Sequence, residues 1–240
     1  MSLGLGIEHF FNGLSLVTKP HVRPFVVLPA AVSLAVIIAG LWLGFSYIND
    51  LSDWLVAHLP GWLSFLEWLL VPLLYLAGVL IGAWLFGLLA AIVGSPFLGE
   101  LSMRVDRPSN PPQRTWWQEI VPALRRELRK LAYHLPRLVL LIVVSIIPVI
   151  NVVSPFLWVG FGAWMMAVQF CDYSTENRGA DFRSTLAKLK QHRASALGFG
   201  LCTTLAMSIP LLNFLVAPVA VVGGTLLMRD LYAKSASSKQ

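Results

Sequence analysis

Charge is what this chain has least of. Asp, Glu, Lys and Arg make up 12% of its 240 residues, about half the share of an ordinary soluble domain, while 57% are hydrophobic. Cysteine is almost missing. Cys171 and Cys202 are the only two, with no metal-ligand spacing and no disulfide framework, and they read as small hydrophobes. There is no G-x-S-x-G elbow, H-E-x-x-H pair, phosphate-binding loop or dinucleotide fingerprint. The five histidines (His9, His21, His58, His134, His192) are scattered. The expectation is therefore a protein that is not an enzyme and holds no metal or cofactor. The N-terminal region lacks a basic n-region and a small-residue cleavage site, so no cleavable signal is expected.

The shortage of charge is uneven. Residues 25–49, 68–99, 138–171 and 194–228 contain no Asp, Glu, Lys or Arg. Each run exceeds the roughly 20 apolar residues that cross a bilayer as a helix. Mean hydropathy over the chain is +0.71. The fold class expected is all-α: a polytopic integral membrane protein forming a single membrane domain over 1–240.

What charge there is lies beside these runs. The formal net charge is +6, which in a soluble protein would suggest nucleic acid. Here anionic lipid headgroups are the expected neighbours and nucleic acid is not. Trp116, Trp117, Arg125 and Arg126 suit an interfacial helix rather than a base-stacking platform. All 18 Lys and Arg fall in four places: Lys19 and Arg23, the region 104–137, the region 178–193, and the tail from Arg229. The connection 50–67 has three acidic residues and no basic one, so the positive-inside rule puts it alone outside, with both termini cytoplasmic.

The first two runs, 25–49 and 68–99, then cross out and back as transmembrane helices. The third and fourth have basic flanks at both ends, so each must leave and return on one side. A continuous helix of 34 residues would be about 51 Å long, against a core of roughly 30 Å. Two crossings would need about 40 residues and a turn. Re-entrant pairs of half-inserted helices fit 138–171 and 194–228. The breaks are visible: Ser145-Ile146-Ile147-Pro148-Val149-Ile150-Asn151 precedes Pro155, and Ser208-Ile209-Pro210-Leu211-Leu212-Asn213 precedes Pro218. Proline removes a donor and disfavours helix in the residue before it, and Asn can cap a new start. Two matching broken segments are the usual pointer to a substrate path. Pro-kinked transmembrane helices are the plainer alternative.

Three amphipathic helices flank these runs. Residues 1–19 form a surface helix with Ile7, Phe10, Phe11, Leu14 and Val17 toward the membrane, stopped by Pro20. Thr115-Trp116-Trp117-Gln118 is a capping box opening an interfacial helix over 115–135, with Val121, Leu124, Leu128, Leu131 and Leu135 on one face. A short helix over 181–192 points Phe182, Leu186 and Leu189 toward lipid, and the tail 235–240 is expected to be disordered. Gly40-x-x-x-Gly44 and Gly78-x-x-x-Gly82 permit close helix approach, within a subunit or between two.

Between the surface helix and the first crossing lies Lys19-Pro20-His21-Val22-Arg23-Pro24-Phe25. Backbone N–H groups at a helix start beside two cations make either an oxyanion site at the cytoplasmic mouth or an anchor for lipid phosphate. The paired Asn151 and Asn213 likewise either cap the returning helices or, with Ser145 and Ser208, face a hydrated path.

Gly13-Leu14-Ser15-Leu16, the run from Pro20 to Pro29, Gln169-Phe170-Cys171-Asp172-Tyr173, both Ile-Pro-x-x-Asn runs, and the ending from Pro218 to Tyr232 together resemble CysZ-type sulfate permeases from about Gly4 to Tyr232. The resemblance implies a sulfate permease of the bacterial inner membrane, feeding sulfate assimilation and cysteine synthesis. It also implies two spanning helices, two partly inserted pairs and a homodimer or higher homo-oligomer. Sulfite and thiosulfate are related candidate substrates, and a membrane scaffold that carries nothing is the alternative. The family's sulfate-binding turn falls on Pro20-His21-Val22-Arg23-Pro24-Phe25, with Lys19 beside it. Arg23 carries over, His21 and Val22 can offer backbone N–H groups, and Pro24 stands in place of the family's second arginine, offering neither charge nor donor.

Overall fold

Every regular element in the computed structural model is an α-helix, among the residues it describes: 2–20, 23–58, 60–61, 66–107, 116–148, 151–209 and 213–237. In chain order these are α1 (Leu3–Val17), α2 (Pro24–Ala57), α3 (Glu67–Val105), α4 (Trp116–Ile146), α5 (Ser154–Asn177), α6 (Phe182–Gln191), α7 (Arg193–Met207) and α8 (Asn213–Ser237). The all-α expectation therefore holds. By their contacts the helices fall into two compact units, Met1–Val27 with Ser95–Gln240, and Leu28–Gly94.

The Leu28–Gly94 unit is a pair of helices. Gly78 of α3 packs on the Ile48 side chain of α2, and the Tyr75 hydroxyl donates to the Asn49 amide oxygen. At Gly40, Gly44 and Gly82 nothing lies within 4 Å of where a Cβ would stand, so one glycine of the two motifs makes a close approach. Both helices outrun their apolar stretches. Asp50 and Asp53, predicted to lie in a loop, belong to the last turns of α2. Continuing the backbone hydrogen-bond ladder satisfies groups that a lone loop at that point would leave open.

The larger unit is built on α1, α5, α7 and α8, whose side chains form one core around Phe199, Val168, Val219, Val222, Leu227 and Met228. Lipid tails are as apolar as leucine, so helices in a membrane gain from close packing rather than from leaving water. Small residues make that possible here. Gly200 of α7 lies against the Ala163 and Ala167 backbone of α5, and Gly224 of α8 lies against the Phe170 carbonyl. Gly6 of α1 rests on the Ser195 and Phe199 backbone, and Gly13 rests on Val219 and Gly223.

That docking corrects the prediction for 1–19. The helix is amphipathic, but its buried face is Gly6, His9, Phe10, Gly13 and Val17, set into α7 and α8. Phe11 and Leu14 are left exposed on the other side. Glycines let α1 pack backbone to backbone, which a purely surface-lying helix does not need. In α6, Phe182, Leu186 and Leu189 are likewise buried in the protein rather than turned to lipid. The helix predicted to end at 135 runs on through Pro136 to Ile146 as α4. Its outer stripe of Val121, Leu124, Leu128, Leu131, Leu135, Val139, Ile142 and Ile146 is exposed along its whole length. Thr115 of the predicted capping box lies outside the described residues. The tail, predicted to be disordered from 235, is helical to Ser237.

Among the described residues, Ser154–Asn177 and Leu215–Ser235 are long and apolar enough to cross a membrane, by length and composition alone.

Candidate functional site

The two breaks are real interruptions of helix. α4 ends at Ile146 and α5 begins at Ser154; α7 ends at Met207 and α8 begins at Asn213. Pro148 is exposed in the first break, and Pro210 of the second lies outside the described residues. The other two prolines do not break anything. Pro155 sits in the first turn of α5, where its missing donor is needed by no one, and Pro218 is buried inside α8.

Side chains around the first break hold one another. Ser145 Oγ donates to the Leu141 carbonyl at 2.8 Å and accepts from Trp158 Nε1 at 3.1 Å, tying α4 to α5. Exposed Asn151 accepts at Oδ1 from Ser154 Oγ at 3.0 Å. The residue in the cap position of α5 is Val153, without a side-chain cap, so Asn151 supports the start of α5 through Ser154 rather than capping it directly. At the second break Ser208 Oγ donates to the Thr204 carbonyl at 2.9 Å. Asn213 is the first residue of α8, and its side chain lies outside the described ones.

In the turn after α1, Lys19 and Arg23 are exposed, the Arg23 N–H donates to the Lys19 carbonyl at 3.1 Å, and the Val27 N–H donates to the Arg23 carbonyl at 2.9 Å. His21 and Val22 lie outside the described residues. The position of this turn follows from how α1 packs. His9 faces Asp230 at 3.3 Å and the Gly223 backbone, while Gly13 faces Gly223 and Val219, so α1 runs antiparallel to α8. Its C-terminus, with Lys19 and Arg23, therefore lies at the end of the layer where α8 begins. Gly162 meets Thr204, and Gly200 meets Ala163 and Ala167, which places the start of α5 beside the end of α7. Both breaks and the 19–23 turn thus share one end. Arg126, Lys130, Arg178 and Arg229 lie toward the other, where α5 and α8 end.

The opposite end holds a charge network that motif reasoning missed. Asp172, fully buried, takes both oxygens to Arg126, from Nε at 2.6 Å and Nη2 at 2.7 Å, and accepts from Thr185 Oγ1 at 2.6 Å. Arg126 Nη1 also reaches the Ala180 carbonyl at 3.0 Å. Lys130 is 3.4 Å from Asp172 and donates to Glu127 at 2.7 Å. Burial alone would lower the Lys130 pKa, but Asp172 and Glu127 outweigh it and hold the ammonium above its ordinary value. Four side chains thus clasp α4, α5 and α6. The signal in the sequence was one acidic residue, Asp172, closing a charge-free run between two basic clusters.

These features define a class: an all-helical membrane protein whose larger unit locks a buried charge network at one end and breaks its helices at the other. The chain belongs to the family described as "Sulfate transporter CysZ/Etoposide-induced protein 2.4", which it matches over residues 9–218. Curated relatives are each named "Sulfate transporter CysZ". One from Pseudomonas paraeruginosa is 39% identical, covering 92% of this chain and 93% of that protein. One from Pectobacterium atrosepticum is 33% identical, covering 95% and 85%. A third, from Salmonella paratyphi A, is 34% identical over 94% and 92%. The family is one of transporters, not enzymes.

Proposed function

We propose that this chain conducts sulfate across a bacterial inner membrane, as a permease that delivers inorganic sulfate for cysteine synthesis. The names of its relatives support the substrate. The observation that carries the mechanism is that the 19–23 turn and both helix breaks lie at one end of the larger unit. Around them the surface is apolar: Ile146, Val152, Phe156, Leu205 and Ile209 are all at least half exposed. Cations set in an apolar surround at membrane depth are expensive and function is the usual reason for them.

Sulfate is a strongly hydrated dianion, so its path must replace water with N–H groups, hydroxyls, amides and arginine. Arg23 and Lys19, with backbone donors of His21 and Val22, would meet the ion. Ser145, Asn151, Ser208 and Asn213 would line the broken ends. The breaks themselves fit re-entrant hairpins. α7 has 15 residues and spans about 22 Å, short of a core of roughly 30 Å, although its neighbours α5 and α8, with 24 and 25 residues, are long enough to cross.

The test is sulfate flux into liposomes containing only this protein, with sulfite and thiosulfate as competitors. Flux is expected, and Arg23→Ala should lower sulfate binding about tenfold or more, a larger loss than Lys19→Ala, because a charged hydrogen bond contributes about 1.5–3 kcal/mol. Asn151→Asp keeps the acceptor for Ser154 but adds a negative charge, so that variant should fold and transport poorly. A chain that folds, inserts and carries no anion is a scaffold, and the proposal fails.

A further inference from the structure

Both helix breaks carry polar side chains, and each side chain has a fixed number of protons to give. Ser145 Oγ gives its one proton to the Leu141 carbonyl at 2.8 Å, and Ser208 Oγ gives its own to the Thr204 carbonyl at 2.9 Å. Each is a bond back to the carbonyl four residues earlier, which serine in or at the end of a helix commonly makes. The Trp158 indole has one N–H and no acceptor, and it donates to Ser145 at 3.1 Å. Both serines can therefore accept but have nothing left to donate to an anion.

Asn151 differs. Its backbone N–H donates to the Ile147 carbonyl at 2.9 Å, and its backbone carbonyl accepts from the Ser154 N–H at 3.1 Å. Its side-chain oxygen accepts from Ser154 Oγ at 3.0 Å. Ser154 is 6% exposed, so its hydroxyl proton needs an acceptor inside the protein, and among the described residues Asn151 Oδ1 is the one it has. That bond fixes which way round the exposed amide stands. Both protons of Asn151 Nδ2 remain, without a partner among the described residues. The chain on either side is apolar and exposed, Ile146 by 74% and Val152 and Phe156 each by 77%. Two free donors in such a surface are costly against lipid, and an oxyanion, made of acceptors, satisfies them. At the second break the matching Asn213 is followed three residues later by Val216, which has no hydroxyl. The two breaks share their Ile-Pro-x-x-Asn run but not what holds the amide.

We propose that Ser154 is a positioning residue for anion passage: by holding Oδ1, it turns the Asn151 amide so that its NH2 meets the oxyanion at the first break. This rests on the reading of the chain as a sulfate conductor, and it makes Asn151 the side chain of that break that donates to the ion. The experiment uses the full chain, isotope-labelled at asparagine nitrogen, in lipid nanodiscs. The Asn151 side-chain signal is the one missing from Asn151→Asp. Inorganic sulfate should shift that signal in the parent chain, and in Ser154→Ala the shift should need about two- to tenfold more sulfate. Half-saturation of flux into liposomes should move by the same factor. Ser154→Thr keeps the hydroxyl and should restore the parent response, which a role in packing alone does not require. Normal flux in the parent with no shift at Asn151 overturns the proposal and leaves the conducting reading standing. A shift in a chain without flux ends the conducting reading and still shows Ser154 orienting the amide. Equal sulfate responses in Ser154→Ala and the parent mean that the hydroxyl only finishes the turn, and the proposal fails. Should Ser154→Ala not fold, Ser154→Cys, close in size and a weak donor, makes the same comparison.

Discussion

Asp172 is the residue on which the charged end turns. Its carboxylate compensates Arg126 and Lys130 at once, with side chains 12% and 4% exposed. Breaking a buried pair by removing one partner typically costs about 3–5 kcal/mol, since the other charge stays buried. Asp172→Ala is therefore expected to lower the melting temperature sharply, while an apolar replacement of Arg126 in the same chain should recover part of the loss. Equal melting of Asp172→Ala and parent would mean that the network contributes little. His134 nearby is 6% exposed, with neither ring nitrogen hydrogen-bonded within the protein. Burial, then Arg137 and Lys130, lower its pKa from 6.5 to about 4. The folded state thus resists a proton that the unfolded chain accepts, so stability is full above about pH 6.5 and falls as pH drops toward 4. Replacing His134 with Phe should flatten the melting temperature across that window. An unchanged slope would place the pH dependence elsewhere.

At the scale of elements, the helices and their breaks were legible in the sequence because they follow from local chemistry. Pro148 and Asn151 mark the first break, while the charge-free runs locate helices without giving their ends, since α2, α3 and α4 all run past them. What was not legible came from contacts between distant segments. The direction of α1 depends on Gly13 meeting Gly223, and the burial of Phe182 and Leu189 depends on what α6 lands upon. Ile-Pro runs report a break, but not which end of the protein it occupies. The candidate site was legible in its residue types and not in its gathering at one end. If the hairpins re-enter, their tips stay inside the bilayer. Cysteines at Val152 and Ile209, in a chain with Cys202 replaced, should then resist a bulky impermeant thiol reagent added from outside. Fast labelling at either position would establish full crossings.

At the scale of the whole molecule, the exposed apolar stripe of α4 needs a cover. Eight residues from Val121 to Ile146 recur at three- and four-residue spacing, the pattern by which helices pair as well as the pattern by which they meet lipid. Broken ends leave backbone polar groups that lipid cannot satisfy. Protein must cover them or water must fill them, which favours several copies around a shared path. Mass measurement in lipid nanodiscs should find a homodimer or larger assembly, with Leu128→Glu on the stripe dissociating it. An active monomer would remove the need for a partner.

The partner of α1 is the other end of the chain. Gly13 settles on Val219 and Gly223, more than 200 residues downstream, so a ribosome must finish α8 before α1 has its seat. Until then α1 has only its contact with α7, where Gly6 rests on Ser195 and Phe199, and the turn that follows it is held from one side. The packing around α1 is thus completed last during synthesis, and a chain truncated before residue 213 would leave Gly13 without its seat on α8.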